Sequence, residues 1–133
     1  MASYDQKTSL KALKALNIAS IATNTTTAGS SIDTKGFESL TLFFELGART
    51  DGTFLPLVQD SDDNSTFADV IDQFLIGTEA EALLNTANTV KSIGYVGKKR
   101  YVKLSIVSSA VTSGGATASA TAILANAAKR PVA

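Results

Sequence analysis

Residues 38–46 read Glu-Ser-Leu-Thr-Leu-Phe-Phe-Glu-Leu, and this stretch sets the fold class. Leu40, Leu42, Phe44 and Leu46 recur at period two, while Ser39, Thr41, Phe43 and Glu45 fall on the opposite side. Such alternation marks a strand with one buried face. Burying the four apolar side chains contributes on the order of 1.5–3 kcal/mol each. Phe43 interrupts the polar side. It marks either a contact on the second face or part of an interface.

C-terminal to this strand, residues 47–67 read GARTDGTFLPLVQDSDDNSTF. Asp51-Gly52 predicts a chain reversal, because glycine tolerates positive φ. Thr53 to Gln59 then returns as a strand. Pro56 has no N–H for a ladder, which predicts an edge or bulged strand. An edge is also where a partner chain can add on. Residues 60–66 (DSDDNST) predict a second turn. Residues 67–76 (FADVIDQFLI) predict a turn of helix and then a short strand ending at Gly77. Residues 79–88 place Ala80, Leu83, Leu84 and Ala87 at helical spacing, yet read equally well as an extended loop.

Residues 92–108 predict a hairpin or a bent strand, with a basic knuckle at Lys98, Lys99 and Arg100. Val102, Leu104 and Ile106 face inward, and Ser113-Gly114-Gly115 makes a tight turn. Residues 116–124 (ATASATAIL) form the last predicted strand. Its alanine face, Ala118, Ala120 and Ala122, leaves room for a bulky neighbour such as Phe44 or Tyr101. Residues 126–133 make a polar tail with Lys129, Arg130 and Pro131.

N-terminal to the central strand, residues 23–31 (TNTTTAGSS) read as a loop by composition. Residues 17–23 read as a short first strand, although Ile18 and Ile21 do not share one strict face. Residues 1–16 place Leu10, Leu13 and Leu16 at helix-like spacing between lysines. They predict an extended arm that docks on a neighbouring subunit, ahead of a single domain over residues 17–133. A half-apolar terminal segment needs somewhere to bury that face. Six to eight short strands between turn signals predict an all-β fold, a β-sandwich or jelly roll.

Totals narrow the function. The 133 residues fit one domain. Twelve basic residues balance twelve acidic ones, so no net field draws the chain to nucleic acid or an anionic membrane. No apolar run is long enough for a membrane helix. Lys7, Lys11 and Lys14 interrupt any signal-peptide core, which predicts accumulation in a cytoplasm. Cysteine and histidine are absent, which removes disulfides, thiol catalysis, a histidine base and Cys/His zinc sites.

The acidic turn at Asp60, Asp62 and Asp63 offers oxygen ligands. It lacks the glycine and distal glutamate of an EF-hand loop, so a solvated turn is the better account than calcium. The knuckle, beside Tyr95 and Tyr101, is too small for a nucleic-acid footprint and fits pairing with Asp60, Asp62, Asp63 or Glu45. No SxxK, GxGxxG or GxxxxGK motif appears, and adjacent carboxylates on turns do not hold a substrate between them. A non-enzymatic role without a cofactor or small-molecule substrate is therefore expected.

Three segments together carry a family resemblance. They are Ile32-Asp33-Thr34 leading to Gly36-Phe37-Glu38-Ser39-Leu40; Gly47 through Phe54 with Asp60-Ser61-Asp62-Asp63; and Gly94-Tyr95-Val96-Gly97 with Lys99-Arg100-Tyr101-Val102. Their order, spanning roughly Ile18 to Ala125, resembles small structural proteins from the head-gene region of tailed bacteriophages, including capsid cement or decoration proteins. The resemblance implies a β-sandwich or jelly roll on the capsid surface of the virion, bound to the major capsid protein as a homo-oligomer, a dimer or trimer, after accumulation in the host cytoplasm. Expected contact residues are Leu10, Leu13 and Leu16 in the arm; Phe54, Leu55 and Leu57 in the edge strand; and Lys98, Lys99, Arg100 and Tyr101 in the knuckle. Tail-tube, tail-terminator or neck proteins are the first alternative, and a carbohydrate-binding β-sandwich the second.

Overall fold

The computed structural model describes residues 7–128. Residues 1–6 of the expected arm and 129–133 of the tail lie outside the described residues. The strands are β1 Lys11–Ile21, β2 Thr26–Asp33, β3 Phe37–Arg49, β4 Thr53–Ser61, β5 Ala68–Asp69, β6 Leu75–Ile76, β7 Thr89–Tyr95, β8 Tyr101–Ser109 and β9 Ala116–Ala127. They form two antiparallel sheets, one of five strands in the order β1-β9-β3-β7-β6 and one of four in the order β2-β8-β4-β5. The chain is an all-β sandwich.

Strands adjacent in sequence mostly lie in different sheets. β3 belongs to the five-stranded sheet and β4 to the other, so the Asp51-Gly52 turn carries the chain across the sandwich. The knuckle between β7 and β8 crosses in the same way, and so does the glycine turn between β8 and β9. None of these reversals closes a hairpin. A turn signal says that the chain reverses, whereas packing of the strand faces decides which strand it pairs with.

The face of β3 explains its partner. Leu42 lies opposite Ala122, Phe44 opposite Ala120 and Leu46 opposite Ala118. Large side chains sit beside small ones, so one layer fills without collision. All six are buried, and Phe54, Val58, Val102, Leu104 and Ile106 close the core from the other sheet. Of the two bulky neighbours expected for the alanines, Phe44 is there. Tyr101 belongs to the other sheet, paired with Asp33 and Ser61.

Residues 11–16, expected in the arm, are the first half of β1. The three-residue spacing of Leu13, Leu16 and Ala19 comes from two register shifts. Leu13, Leu16, Ala19 and Ile21 face Ala122, Ala120, Ala118 and Ala116, so β1 advances three, three and two residues while β9 advances two each time. An extra residue at each bulge turns a strand period of two into an apparent period of three. The same bulges explain why Ile18 and Ile21 share no strict face.

Residues 26–31, read as a loop, are strand β2. Ile32 is its only large buried side chain, so the hydrophobic pattern is almost silent. Gly29 passes so close to the carbonyls of Leu104 and Ala15 that a Cβ there would collide with both. β4, expected at an edge or bulged, is neither: it lies between β8 and β5 and pairs with β8 without a register shift, and Pro56 is accommodated on the side away from β8. On that side of β4, Phe54 exchanges two backbone bonds with Leu84, and Val58 accepts the N–H of Val70. Pro56 falls between them, where its missing donor leaves no ladder bond broken. Residues 79–88 take the loop alternative, and Leu84 plugs the core from it. The 3-10 turn Asp72–Phe74 followed by β6 agrees with the reading of residues 67–76.

Candidate interaction surface

The basic knuckle serves the fold. Lys99 Nζ pairs with Asp62 Oδ2 at 2.7 Å. Arg100 holds Asp33 in a bidentate pair, both bonds 2.8 Å, which lowers the Asp33 carboxyl to about 2. The guanidinium also stacks 4.9 Å over the Tyr101 ring. Beneath them Tyr95 donates its hydroxyl to Asp60 Oδ2 at 2.7 Å and accepts the Lys99 N–H. Burial, followed by the bond to Asp60, pushes the Tyr95 hydroxyl well above its ordinary range. Exposed pairs of this kind are screened by solvent and contribute little to stability. The knuckle therefore closes one end of the sandwich through intramolecular pairing with Asp62 and Asp33. Lys98 stays exposed and borders an open cleft of about 530 Å³ with Glu38, Phe37 and Tyr95.

The acidic turn is organised internally. Asp63 Oδ1 accepts the N–H groups of Thr66 and Ser65 and the Ser61 hydroxyl, and these bonds lower its carboxyl to about 2. With Asp60 on Tyr95 and Asp62 on Lys99, each carboxylate points to a different partner. Among the described residues no group of three acidic, His or Cys side chains is arranged to hold a metal.

The expected apolar contact residues divide. Leu16 and Phe54 are core residues, 2% and 0% exposed, and cannot meet a partner without unfolding. Leu10 is half-buried, and Leu13 packs on the core. Leu55 and Leu57 are half-buried on the outer face of the four-stranded sheet, opposite Val107 and Ser105.

A different surface stands out: the outer face of the five-stranded sheet. The register lays its side chains out in rows. One row runs Ile76, Gly94, Thr41, Ile123, Ala12. The next runs Ser92, Phe43, Thr121, Lys14, and the third Val90, Glu45, Ser119. Lys14 and Glu45 are the only charged residues in the three rows. Beyond the first row, Val96 meets Phe74 through a backbone bond of 2.8 Å. Ile76 lies flat over Gly94, where a Cβ would stand only 3.2 Å from the Ile76 Cβ.

Among the described residues, the large exposed apolar side chains are Ile18, Phe43, Ile71, Phe74, Ile76, Val90 and Val96. All but Ile71 belong to this face or its rim. Two shallow hollows cross it. One of about 180 Å³ is lined by Phe43, Glu45, Val90 and Thr121. The other, of about 360 Å³, is lined by Ile18, Glu45, Val90, Thr117 and Ser119. Clustered exposed apolar groups on a surface with almost no charge are the signature of a contact site. The sequence signal for it was Phe43, on the otherwise polar side of β3. Ile18, Ile76 and Val90 gave none, because they sit on a bulged strand, a two-residue strand and a strand end.

No family model and no curated protein matches this chain. Solved structures share its fold. The SPBc2 prophage-derived protein YomS superposes with a TM-score of 0.54 at 14% identity, over 86% of this chain and 91% of that one. The PBSX exported protein XepA gives a TM-score of 0.54 at 16% identity, over 92% of this chain. This chain spans 39% of XepA. At these identities the likeness is one of fold.

Proposed function

We propose that this chain is a non-enzymatic structural protein of a bacteriophage particle, binding the outer surface of the capsid as a small oligomer and stabilising the shell. The observation that carries the reading is the outer face of the five-stranded sheet, where six large apolar side chains are exposed around a single Lys14 and a single Glu45. Such a face suits protein contact and suits neither a polyanion nor a charged small molecule. The prophage origin of the two similar folds and the phage-like segments around Gly36, Asp51 and Tyr95 support the particle context. Many weak contacts made by many copies add through effective concentration, so each contact can be small.

The test is sedimentation of the purified chain with empty capsid shells. Co-sedimentation in stoichiometric amounts supports capsid decoration. A ring of six or more copies that ignores shells and binds tail components would replace it with a tail or neck role.

A further inference from the structure

We propose that the outer face of the five-stranded sheet is a self-association surface, on which two copies pack face to face about a two-fold axis. Phe43 then meets Phe43, and Lys14 of each copy meets Glu45 of the other. This deepens the oligomer part of the reading above and stands without its phage part.

Charge placement is the first argument. Lys14 sits beside Thr121, which lies beside Phe43; Glu45 is one row further along β3, beside Ser119. With strands about 4.8 Å apart and about 6.8 Å between rows, Lys14 and Glu45 are roughly 12 Å apart. That is too far for a pair within one copy, and among the described residues neither joins a salt bridge. A two-fold axis lying in the interface plane and exchanging the two positions joins unlike charges twice. On a flat lattice of these spacings it also brings the two Phe43 side chains within roughly 4 Å in projection. An isologous contact requires this self-complementarity. A face with one cation and one anion supplies it in a single register and penalises the registers that leave them unpaired.

Area is the second argument. Four strands, β1, β9, β3 and β7, present a face roughly 20 Å wide, and two such faces crossed at about 70° overlap over about 400 Å². A standard protein interface takes about 800 Å² from each partner, so this dimer is of the weak, transient class. Low relief is the third. Threonine, serine and alanine fill the spaces between the apolar groups, and Gly94 lets Ile76 lie flat. Two such sheets can approach to the roughly 10 Å of face-to-face sheet packing, with their strands crossing at about 70°.

The experiment is sedimentation velocity of the full chain without shells, on wild type, Lys14→Glu, Glu45→Lys and the double exchange. Both positions are exposed, and circular dichroism checks that each variant folds. Each single change places like charges together and is expected to weaken the dimer by about tenfold or more, whereas the double exchange restores it. Phe43→Lys is expected to abolish it. A wild-type monomer at about 100 µM, single variants that dimerise normally, or a double variant no better than the singles would overturn the inference. A monomer that still co-sediments with shells sinks this interface and leaves the capsid reading. A dimer that ignores shells does the reverse.

Discussion

Asp51 accepts the backbone N–H of Gly115 on Oδ1 at 2.8 Å, across 64 residues of sequence. Its Oδ2 accepts the Thr112 N–H and hydroxyl, each at 2.7 Å, and the Ser113 N–H at 2.8 Å. Thr50 returns a bond to the Gly115 carbonyl at 2.7 Å. The β3–β4 crossing is thereby tied to the β8–β9 crossing. A carboxylate that accepts several N–H and O–H bonds is held ionised, and the Thr112 hydroxyl is the largest cause of its strongly lowered pKa.

Asp51→Ala is expected to lower the melting temperature more than Asp62→Ala, since Asp62 makes one exposed pair. The pH dependence has a definite sign. Asp51, Asp33 and Asp63 all have folded-state pKa values below the ordinary carboxylate value. Their contribution is complete above about pH 5 and is lost as the pH falls through about 4 towards 2. Glu79, raised by burial, has the opposite sign, and its contribution is lost as the pH rises. Urea midpoints from about pH 2 to 7 should fall on the acid side, less steeply in Asp51→Ala. An acid limb of unchanged steepness would mean that Asp51 is not a principal source.

The Phe44–Ala120 pair tests the core. Phe44→Ala should cost about 3–5 kcal/mol through the cavity it leaves. Ala120→Leu should cost about 1–3 kcal/mol through overpacking. The double variant should be more stable than the sum of the two costs, because the leucine enters the space the ring vacates. Strict additivity in chemical denaturation would show that the two side chains do not share space.

Leu57→Lys should leave the monomer folded, at a cost under about 1 kcal/mol, because the side chain is on the outer face of β4. Phe54→Lys, three residues earlier and fully buried, should prevent folding. Thermal melts of the two variants decide this, and an unfolded Leu57→Lys would place Leu57 in the core.

Calcium and EDTA should both leave the melting temperature within about 1 °C of the untreated protein, since a ligand that binds only the folded state raises it. The carboxylates of Asp60, Asp62 and Asp63 are engaged by Tyr95, Lys99 and backbone amides. A melting temperature that drops with EDTA and recovers with calcium would make the acidic turn a site.

Tyr95 should ionise late. In an alkaline absorbance titration, Tyr95→Phe should remove the last phenolate phase and cost about 1 kcal/mol through the lost bond to Asp60. Loss of an early phase instead would contradict its buried, hydrogen-bonded position.

Period-two alternation in ESLTLFFEL, the alanine face of β9 and the turn residues between short apolar runs determined by themselves an all-β chain with strands near the observed places. That information is local. It resides in which side chains alternate and which residues tolerate a reversal. Tertiary structure alone decided the rest. The Asp51-Gly52 and Lys98–Arg100 reversals cross between sheets, because β3 pairs with the small residues of β9, which follow it by some eighty positions. Leu13 and Leu16 keep a helix-like spacing because a bulge in β1 breaks its period between them, and a bulge is set by the partner strand. β2 was hidden because an exposed edge of threonine, serine and glycine has no buried face to alternate. The candidate contact surface needed the sheet order itself. Ile18, Phe43, Ile76 and Val90 become neighbours only when β1, β9, β3, β7 and β6 are laid side by side.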